Sequence, residues 1–258
     1  MTTTVTRVEE IPRIHRDTDA RRLAVETYGD MLSLLSGLTA AEWEAPTECE
    51  PWTVADIVRH LVGAAAAHAS VREQIRQVRY GAKHRSQFGG SDLDAMNDLQ
   101  VTDHLDLDPA ALVARLSELA PRAVRGRMRA PGLVRRISLD SPAGGSSAPG
   151  LPSRFSLGEL FDVVLTRDVW LHRIDICRAI GKEPTLGTTD RRVIEDVVAE
   201  WAARCAPDVE LTLTGPAGGR FVAGDGSGAL EIDAVELCRV LSGRAEHPGP
   251  WMDVRLLF

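Results

Sequence analysis

The stretch LGELFDVVLTRDVWLHRID, residues 157–175, predicts a helix that carries ionisable groups on its apolar face. Its apolar residues recur at the three- and four-residue steps of one helical face. At about 100° per residue, Asp168, His172 and Asp175 fall within the same arc as those apolar residues. A carboxylate buried there without compensation is costly, so these groups must be paired, neutralised or bound to a metal.

The spacing of these groups suits a metal ion. Asp168 and His172 stand four residues apart, which allows a carboxylate and an imidazole on adjacent turns to converge on one ion. His60 flanks the apolar stripe of an earlier predicted helix and is the candidate third ligand. Three ligands of this kind leave positions open, as catalytic zinc requires. Spacing alone is equally compatible with a buried, hydrogen-bonded Asp–His pair that holds no metal.

Helical patterns extend through the first two thirds of the chain. Thr53 is a predicted N-cap with Asp56 behind it, and Pro109 suits a first helical turn. The segment 141–154, rich in Gly, Pro and Ser, is predicted to be a surface connection that serves as a lid beside a site. The predicted helices cover residues 16–38, 53–80, 92–101, 109–129 and 157–180.

The pattern changes beyond residue 188. A helix is followed by short alternating runs separated by glycine-rich turns, which indicates strands, and then by another helix. We therefore predict a mainly α chain of two domains, a helical bundle over residues 1–187 and a small α/β domain over residues 188–258. Strands are predicted at 209–214, 220–223 and 229–232, and helices at 191–203 and 234–241.

Composition excludes several classes of partner. The formal net charge of −7 argues against a general nucleic-acid footprint. The basic segment 122–136 is the local exception, and we interpret it as a solvated helix end rather than as a site for an anionic ligand. No apolar run approaches the roughly 20 residues of a membrane-spanning helix, and the first residues lack the apolar core of a signal peptide.

The cysteines fit a reducing compartment. They form no CxxC pair and no close cluster, so neither a disulfide framework nor a zinc knuckle is indicated, and we expect a cytoplasmic protein. Nothing in the sequence indicates an oligomeric state. The four cysteines are Cys49, Cys177, Cys205 and Cys238.

Four motifs together resemble the mycothiol-dependent maleylpyruvate isomerase family. The resemblance covers nearly the whole chain and is weakest over residues 132–154. It implies a DinB-like four-helix bundle followed by a small α/β domain. The motifs are PTEC at 46–49, WTVADIVRHL at 52–61, DVWLHRID at 168–175 and LTGPAGGR at 213–220.

The resemblance also implies a zinc site. In that family a histidine after the tryptophan motif and an acid-x-x-x-His pair bind zinc, which carries over to His60, Asp168 and His172. One departure matters, because the family's isomerase has Glu where this chain has Asp168. A shorter carboxylate must approach the metal with a shifted backbone or another denticity, which bears on the identity and affinity of the metal.

The implied chemistry is the activation of mycothiol, a small cysteine-containing sugar thiol. A free thiol has a pKa near about 8.5, and coordination to a metal deprotonates it. The thiolate then adds to an electrophilic carbon of a small-molecule substrate. Expulsion of the thiol gives cis–trans isomerisation, whereas retention gives an S-conjugate, and the departure at Asp168 slightly favours transfer.

Two other classes of function stay open at this point. A non-catalytic bundle would bind a small ligand or a partner protein, and its buried polar side chains would only form hydrogen bonds in the core. A metal-assisted hydrolase would hold hydroxide rather than thiolate in the open position. Metal content and displacement of metal-bound water by thiols distinguish these classes.

The remaining candidate residues surround this chemistry. The resemblance implies a cation from the second domain for an acidic substrate, and Arg244 is the nearest match by position. Arg220 is its rival, and a surface arginine without function is the alternative. Asp175 is expected behind the ligands, orienting a histidine by a hydrogen bond or joining a structural network. Cys49 and Cys177 are interpreted as packing residues.

Overall fold

The chain folds into two compact units. The computed structural model describes residues 5–141 and 150–258. Within them, the larger unit comprises residues 20–141 and 153–184, and the smaller unit comprises 5–19, 150–152 and 185–258. The prediction of a mainly α chain, with a four-helix bundle and a small α/β part, is confirmed. Most of the predicted lid, residues 142–149, lies outside the described residues.

Nine helices among the described residues belong to the larger unit, and four of them form its bundle. The bundle helices α1, α3, α6 and α9 enclose one apolar core, while α4 and α5 pack outside α3. No helix in the two described ranges is long and apolar enough to cross a membrane. The helices are α1 (Ala20–Leu35), α2 (Ala40–Trp43), α3 (Val54–Ala69), α4 (Val71–His84), α5 (Asp92–Thr102), α6 (Pro109–Met128), α7 (Gly132–Arg135), α8 (Leu157–Glu159) and α9 (Leu165–Ala179).

Local signals explain where the bundle helices begin. Thr53 caps α3 in a capping box with Asp56, in which each side chain bonds the other residue's backbone N–H. Asp108 caps α6 and Pro109 occupies its first turn. The sequence predicted one helix over residues 53–80, whereas the structure has two. The extended backbone of Ser70 ends α3, and its hydroxyl caps the first turn of α4, which is a separate helix.

The predicted helix over residues 157–180 contains a π-helical segment. Residues 157–159 form α8, Leu160–Val164 follow as a π-helix, and α9 continues from Leu165. A π-turn accommodates an extra residue and so rotates the residues after it relative to those before it. Asp162 lies in this segment and is buried.

The smaller unit is a four-stranded sheet with helices α10 (Thr188–Cys205) and α11 (Ala234–Ser242). The strand order is β1-β5-β4-β6, with β4 antiparallel to β5 and parallel to β6. A separate two-stranded antiparallel sheet, β2 with β3, belongs to the larger unit. The strands are β1 (Val5–Arg7), β2 (Ser138–Asp140), β3 (Arg154–Ser156), β4 (Val209–Thr214), β5 (Gly219–Ala223) and β6 (Gly228–Asp233).

The first strand joins the smaller unit, although the sequence assigned its residues to the first domain. β1 pairs in parallel with β5, Val5 opposite Arg220. Arg13 strengthens the attachment, since its guanidinium pairs with Asp196 and Glu200 of α10. A three-residue strand is too short to show a period of two, and its partner is distant in sequence, so no local pattern predicts this pairing.

A glycine sets the distance between α3 and α5. A Cβ at Gly63, in the middle of α3, would lie 2.6 Å from Gln100 Cβ and 2.9 Å from Gln100 Cα. Gln77 of α4 joins the same layer, because its amide donates to the Gly63 carbonyl and accepts from the Gln100 amide. The close approach therefore requires a residue without a side chain at position 63.

We expect Gly63→Ala to lower the free energy of unfolding by about 1–3 kcal/mol, because the α5 backbone must move away from the new methyl group. Gly29→Ala is the matched control: Gly29 lies in α1 with nothing within 4 Å of the added Cβ. That substitution should raise the free energy of unfolding by roughly 0.5–1 kcal/mol. Denaturant unfolding followed by circular dichroism measures both. Equal stabilisation by the two substitutions would contradict the close packing.

Candidate metal centre

His60 of α3 and the pair Asp168 and His172 of α9 come together in the bundle. Asp168 Oδ2 lies 3.7 Å from His60 Nε2, and Asp168 Oδ1 lies 3.4 Å from His172 Nε2. One ligand atom from each residue lies within 4.8 Å of the others. Two atoms bound at about 2.0–2.1 Å to one tetrahedral ion are separated by roughly 3.3 Å. The spacing of the three groups therefore fits an ion of the size of zinc.

The three groups differ in exposure. His60 and His172 are buried, whereas the Asp168 side chain is 21% exposed. Their helix neighbours explain the burial, because Leu61 and Val169 are core residues that fix the faces of α3 and α9. The site is enclosed at the imidazoles and accessible at the carboxylate, an arrangement that leaves room for a further ligand.

Asp168 and His172 shift each other's pKa. Burial would raise the pKa of Asp168, but His172 and His60 outweigh it and hold that pKa well below its usual range. Burial would likewise lower the pKa of His172, but Asp168 and Asp175 hold it well above its ordinary value. Asp168 is therefore an anion at neutral pH, and a metal ion would compete with a proton for the imidazole of His172.

Asp175 lies behind His172 and is fully buried. Its Oδ2 is 3.0 Å from His172 Nδ1 and accepts a hydrogen bond from the Cys49 thiol at 3.2 Å. A proton on Nδ1 leaves Nε2 facing Asp168, so Asp175 fixes the orientation of the ring.

The contact of Cys49 was missed by sequence reasoning. Cys49 was interpreted as a packing residue, but Cys49, His172 and Asp175 form a second group whose ligand atoms lie within 4.8 Å. Cys49 lies in an irregular segment before α3, where no periodicity shows which way a side chain points. Cys177 is buried, and burial raises the pKa of its thiol, as expected of a packing residue.

Trp52 covers the imidazoles. Its ring centroid lies 5.1 Å from that of His60 and 6.3 Å from that of His172. His60 Nδ1 is buried and has no hydrogen-bond partner among residues 5–141 and 150–258. The indole therefore orients His60 by packing, whereas a hydrogen bond orients His172.

The predicted cations of the second domain lie in the smaller unit. Arg244 follows α11, where Gly243 has a φ of +85° and ends the helix. The Arg244 N–H donates to the Arg239 carbonyl at 2.8 Å. The rival Arg220 lies on β5 and forms an ion pair with Glu210.

A second set of polar side chains was also missed by the sequence. The basic segment 122–136 was interpreted as a solvated helix end, but Arg127 and Arg135 are buried. His68, at the end of α3, packs its ring edge-on against Phe161 at 5.8 Å. Burial, aided by the charge of Arg127, lowers the pKa of His68 to about 3, so this histidine is neutral at pH 7.

Comparisons with known proteins identify relatives of the chain. Residues 26–177 match the family described as mycothiol maleylpyruvate isomerase N-terminal domain. No curated protein matches the chain significantly. Among solved structures, a mycothiol-dependent maleylpyruvate isomerase aligns with a TM-score of 0.55 and 18% identity over 93% of both chains. A histidine-to-alanine variant of such an enzyme aligns with a TM-score of 0.54 and 17% identity, again over 93% of both.

The low pKa of His68 makes the stability of the protein depend on pH. The folded state does not bind a proton at His68 until about pH 3, whereas an unfolded histidine binds one near pH 6.5. The unfolded state therefore binds more protons between these values, and stability falls as the pH drops from about 7 towards 3. We expect the free energy of unfolding of His68→Gln to fall less steeply as the pH drops. The difference in slope should correspond to at most one bound proton.

Denaturant unfolding at several pH values between 7 and 4 measures the slope. His15→Gln, which removes an exposed imidazole, is the control. An unchanged slope in His68→Gln would show that His68 takes up its proton in the folded protein.

Proposed function

Because the chain belongs to the mycothiol maleylpyruvate isomerase N-terminal domain family, we propose that it is a metal-dependent enzyme that activates mycothiol. The thiol is added to an electrophilic small molecule, by S-transfer or by thiol-dependent cis–trans isomerisation. The observation that carries the proposal is the convergence of His60, Asp168 and His172 with an accessible carboxylate.

The donor set supports a divalent metal, and zinc is the proposed ion. Two imidazoles and one carboxylate are ligands of catalytic zinc sites, which keep a position open for substrate. A metal bound there would lower the pKa of a coordinated thiol, otherwise near about 8.5, and so supply a thiolate at neutral pH.

The chain's own residues have separate tasks in this proposal. Asp168 and the imidazoles hold the ion, and Asp175 keeps Nε2 of His172 facing the ion by bonding Nδ1. Trp52 covers the two imidazole rings and keeps water from that side. Arg244 is proposed, on the resemblance alone, to bind an acidic group of the substrate.

Transfer is favoured over isomerisation. The family resemblance places a glutamate where this chain has Asp168, and an aspartate is one methylene shorter. The shorter carboxylate alters the geometry of coordination at the ion. We therefore expect an electrophilic substrate that differs from that of the family's isomerase. The same addition step serves both reactions, since they differ only in whether the thiol leaves the adduct.

We expect about one divalent ion per chain in wild-type protein dialysed against zinc, and almost none in His60→Ala or His172→Ala. Asp175→Asn should retain the ligands but weaken zinc binding by about 10–100-fold, because the orienting hydrogen bond is altered. His15→Ala removes an exposed histidine and should leave the zinc content unchanged. Plasma emission spectroscopy and competition with a chelator measure content and affinity. Folded wild-type protein that takes up no divalent metal would refute the proposal.

The reaction is tested by screening thiol consumption with candidate electrophiles. Zinc-loaded protein should consume mycothiol in preference to glutathione, and mass spectrometry should detect an S-conjugate. Recovery of an isomerised substrate with all of the thiol would instead identify an isomerase. Substrate cleavage by water at a rate independent of thiol would identify a hydrolase and contradict the proposal. Asp168→Asn should abolish the thiol-dependent reaction together with zinc binding.

A further inference from the structure

The segment that leads into α3 is a compact, hydrogen-bonded turn, which we call the entry turn (residues 46–53). The Thr47 N–H donates to the Trp52 carbonyl at 3.0 Å, and the Trp52 N–H donates to the Cys49 carbonyl at 2.9 Å. The Thr47 hydroxyl also donates to the Trp52 carbonyl, and it accepts from the Cys49 N–H. These bonds hold the backbone of Cys49 in a fixed place relative to Trp52 and to the start of α3.

The entry turn contacts the groups around His172 at two points. The Trp52 indole lies over the His172 ring, with 6.3 Å between the ring centroids. The Cys49 sulfur lies 3.2 Å from Asp175 Oδ2, and the same oxygen lies 3.0 Å from His172 Nδ1. One carboxylate oxygen therefore accepts hydrogen bonds both from the imidazole and from the thiol.

The bond from Cys49 connects the two helices that carry the candidate metal ligands. Asp175 and His172 both lie on α9, so the bond between them does not relate α9 to α3. The bond from the Cys49 thiol does, because the entry turn continues directly into the helix that carries His60. All of these residues belong to the larger unit.

A second link between the entry turn and α9 is weaker. Glu48 and Arg178 form an ion pair at 3.0 Å, but their side chains are 36% and 45% exposed, so water screens the pair. Asp175 is fully buried, so its carboxylate depends on protein donors. The link through Cys49 is therefore the one that is protected from solvent at its acceptor.

The environment of Cys49 is not that of a packing residue. The side chain is only half buried, so removal of apolar surface from water explains little of its placement. Its sulfhydryl is a weak donor and is directed at a buried carboxylate, a contact that an aliphatic side chain of the same size cannot make.

We propose that Cys49 is a positioning residue of the metal centre, whose thiol fixes the Asp175 carboxylate and through it the ring of His172. This inference rests on the proposed function and adds Cys49 to the residues that set the affinity for the ion. Hydrogen-bond partners behind a ligating histidine fix the orientation of its ring and so the direction of the ligating nitrogen. Cys49 acts through Asp175, so its loss should have a smaller effect than a change at Asp175 itself.

The test compares variants that remove the donor with one that restores it, using competition with a chelator to measure the Kd for zinc. Cys49→Ala should raise this Kd by about three- to tenfold. Cys49→Val, which keeps the volume but has no donor, should raise it equally. Cys49→Ser supplies a hydroxyl donor and should stay within about twofold of the wild type. Cys177→Ala, the same change at a buried cysteine of α9, should also leave the Kd within about twofold.

Cobalt(II) in place of zinc gives a readout that a purely structural role would not move. The visible absorption of bound cobalt depends on the geometry of its ligands, so Cys49→Ala and Cys49→Val should alter the spectrum of the thiol-free protein. Cys49→Ser should reproduce the wild-type spectrum. A near-ultraviolet charge-transfer band from thiolate to cobalt in the wild type, lost in Cys49→Ala, would identify the thiol as a ligand and overturn the positioning role.

The outcomes are distinguishable from failure of the proposed function. Wild-type protein that binds neither zinc nor cobalt would overturn the proposed function. Normal metal binding with the same Kd and the same cobalt spectrum in wild type and Cys49→Val would overturn this inference alone. A loss of affinity in Cys49→Ser as large as that in Cys49→Ala would also overturn it, since a restored donor should restore the site. If Cys49→Ala does not fold, the comparison of Cys49→Val with Cys49→Ser decides between these outcomes.

Discussion

The anionic carboxylate of Asp168, held inside an apolar bundle, is the constraint on which the site depends. Burial opposes its charge, and the two imidazoles more than compensate. That compensation requires α3 and α9 to present His60 and His172 at the same height, within 4 Å of the carboxylate oxygens. The apolar core between these helices keeps that alignment, and the capping box at Thr53 fixes where α3 begins.

How much of this follows from the sequence depends on how local each signal is. The placement of Asp168, His172 and Asp175 on a buried face follows from helical periodicity within one element. His60 lies on another helix, where its position beside the apolar stripe made it a candidate ligand, and its connection to that face depended more on the family resemblance. The prediction of a mainly α fold with a small α/β part is confirmed, because long periodic helices and short alternating strands are distinct patterns.

The features that the sequence did not reveal depend on distant contacts or on irregular backbone. The extended conformation at Ser70 divides a continuous helical pattern, and its hydroxyl cap is recognisable only once the break is known. Arg127 belongs to a run of arginines that resembles a solvated helix end, and its burial depends on how closely α6 passes α3. Cys49 precedes its helix, so nothing in the local pattern orients its thiol towards Asp175.

The pairing of β1 with β5 has a consequence for biosynthesis. Val5–Arg7 is translated more than 200 residues before its partner strand, Gly219–Ala223. At about 5–20 residues per second, the first strand waits roughly 10–40 s for its place in the sheet. The last bundle helix, α9, ends at Ala179, so all bundle helices are translated before the partner strand of β1. The nascent chain must therefore keep the unpaired backbone groups of β1 from pairing with other chains until Gly219–Ala223 has emerged.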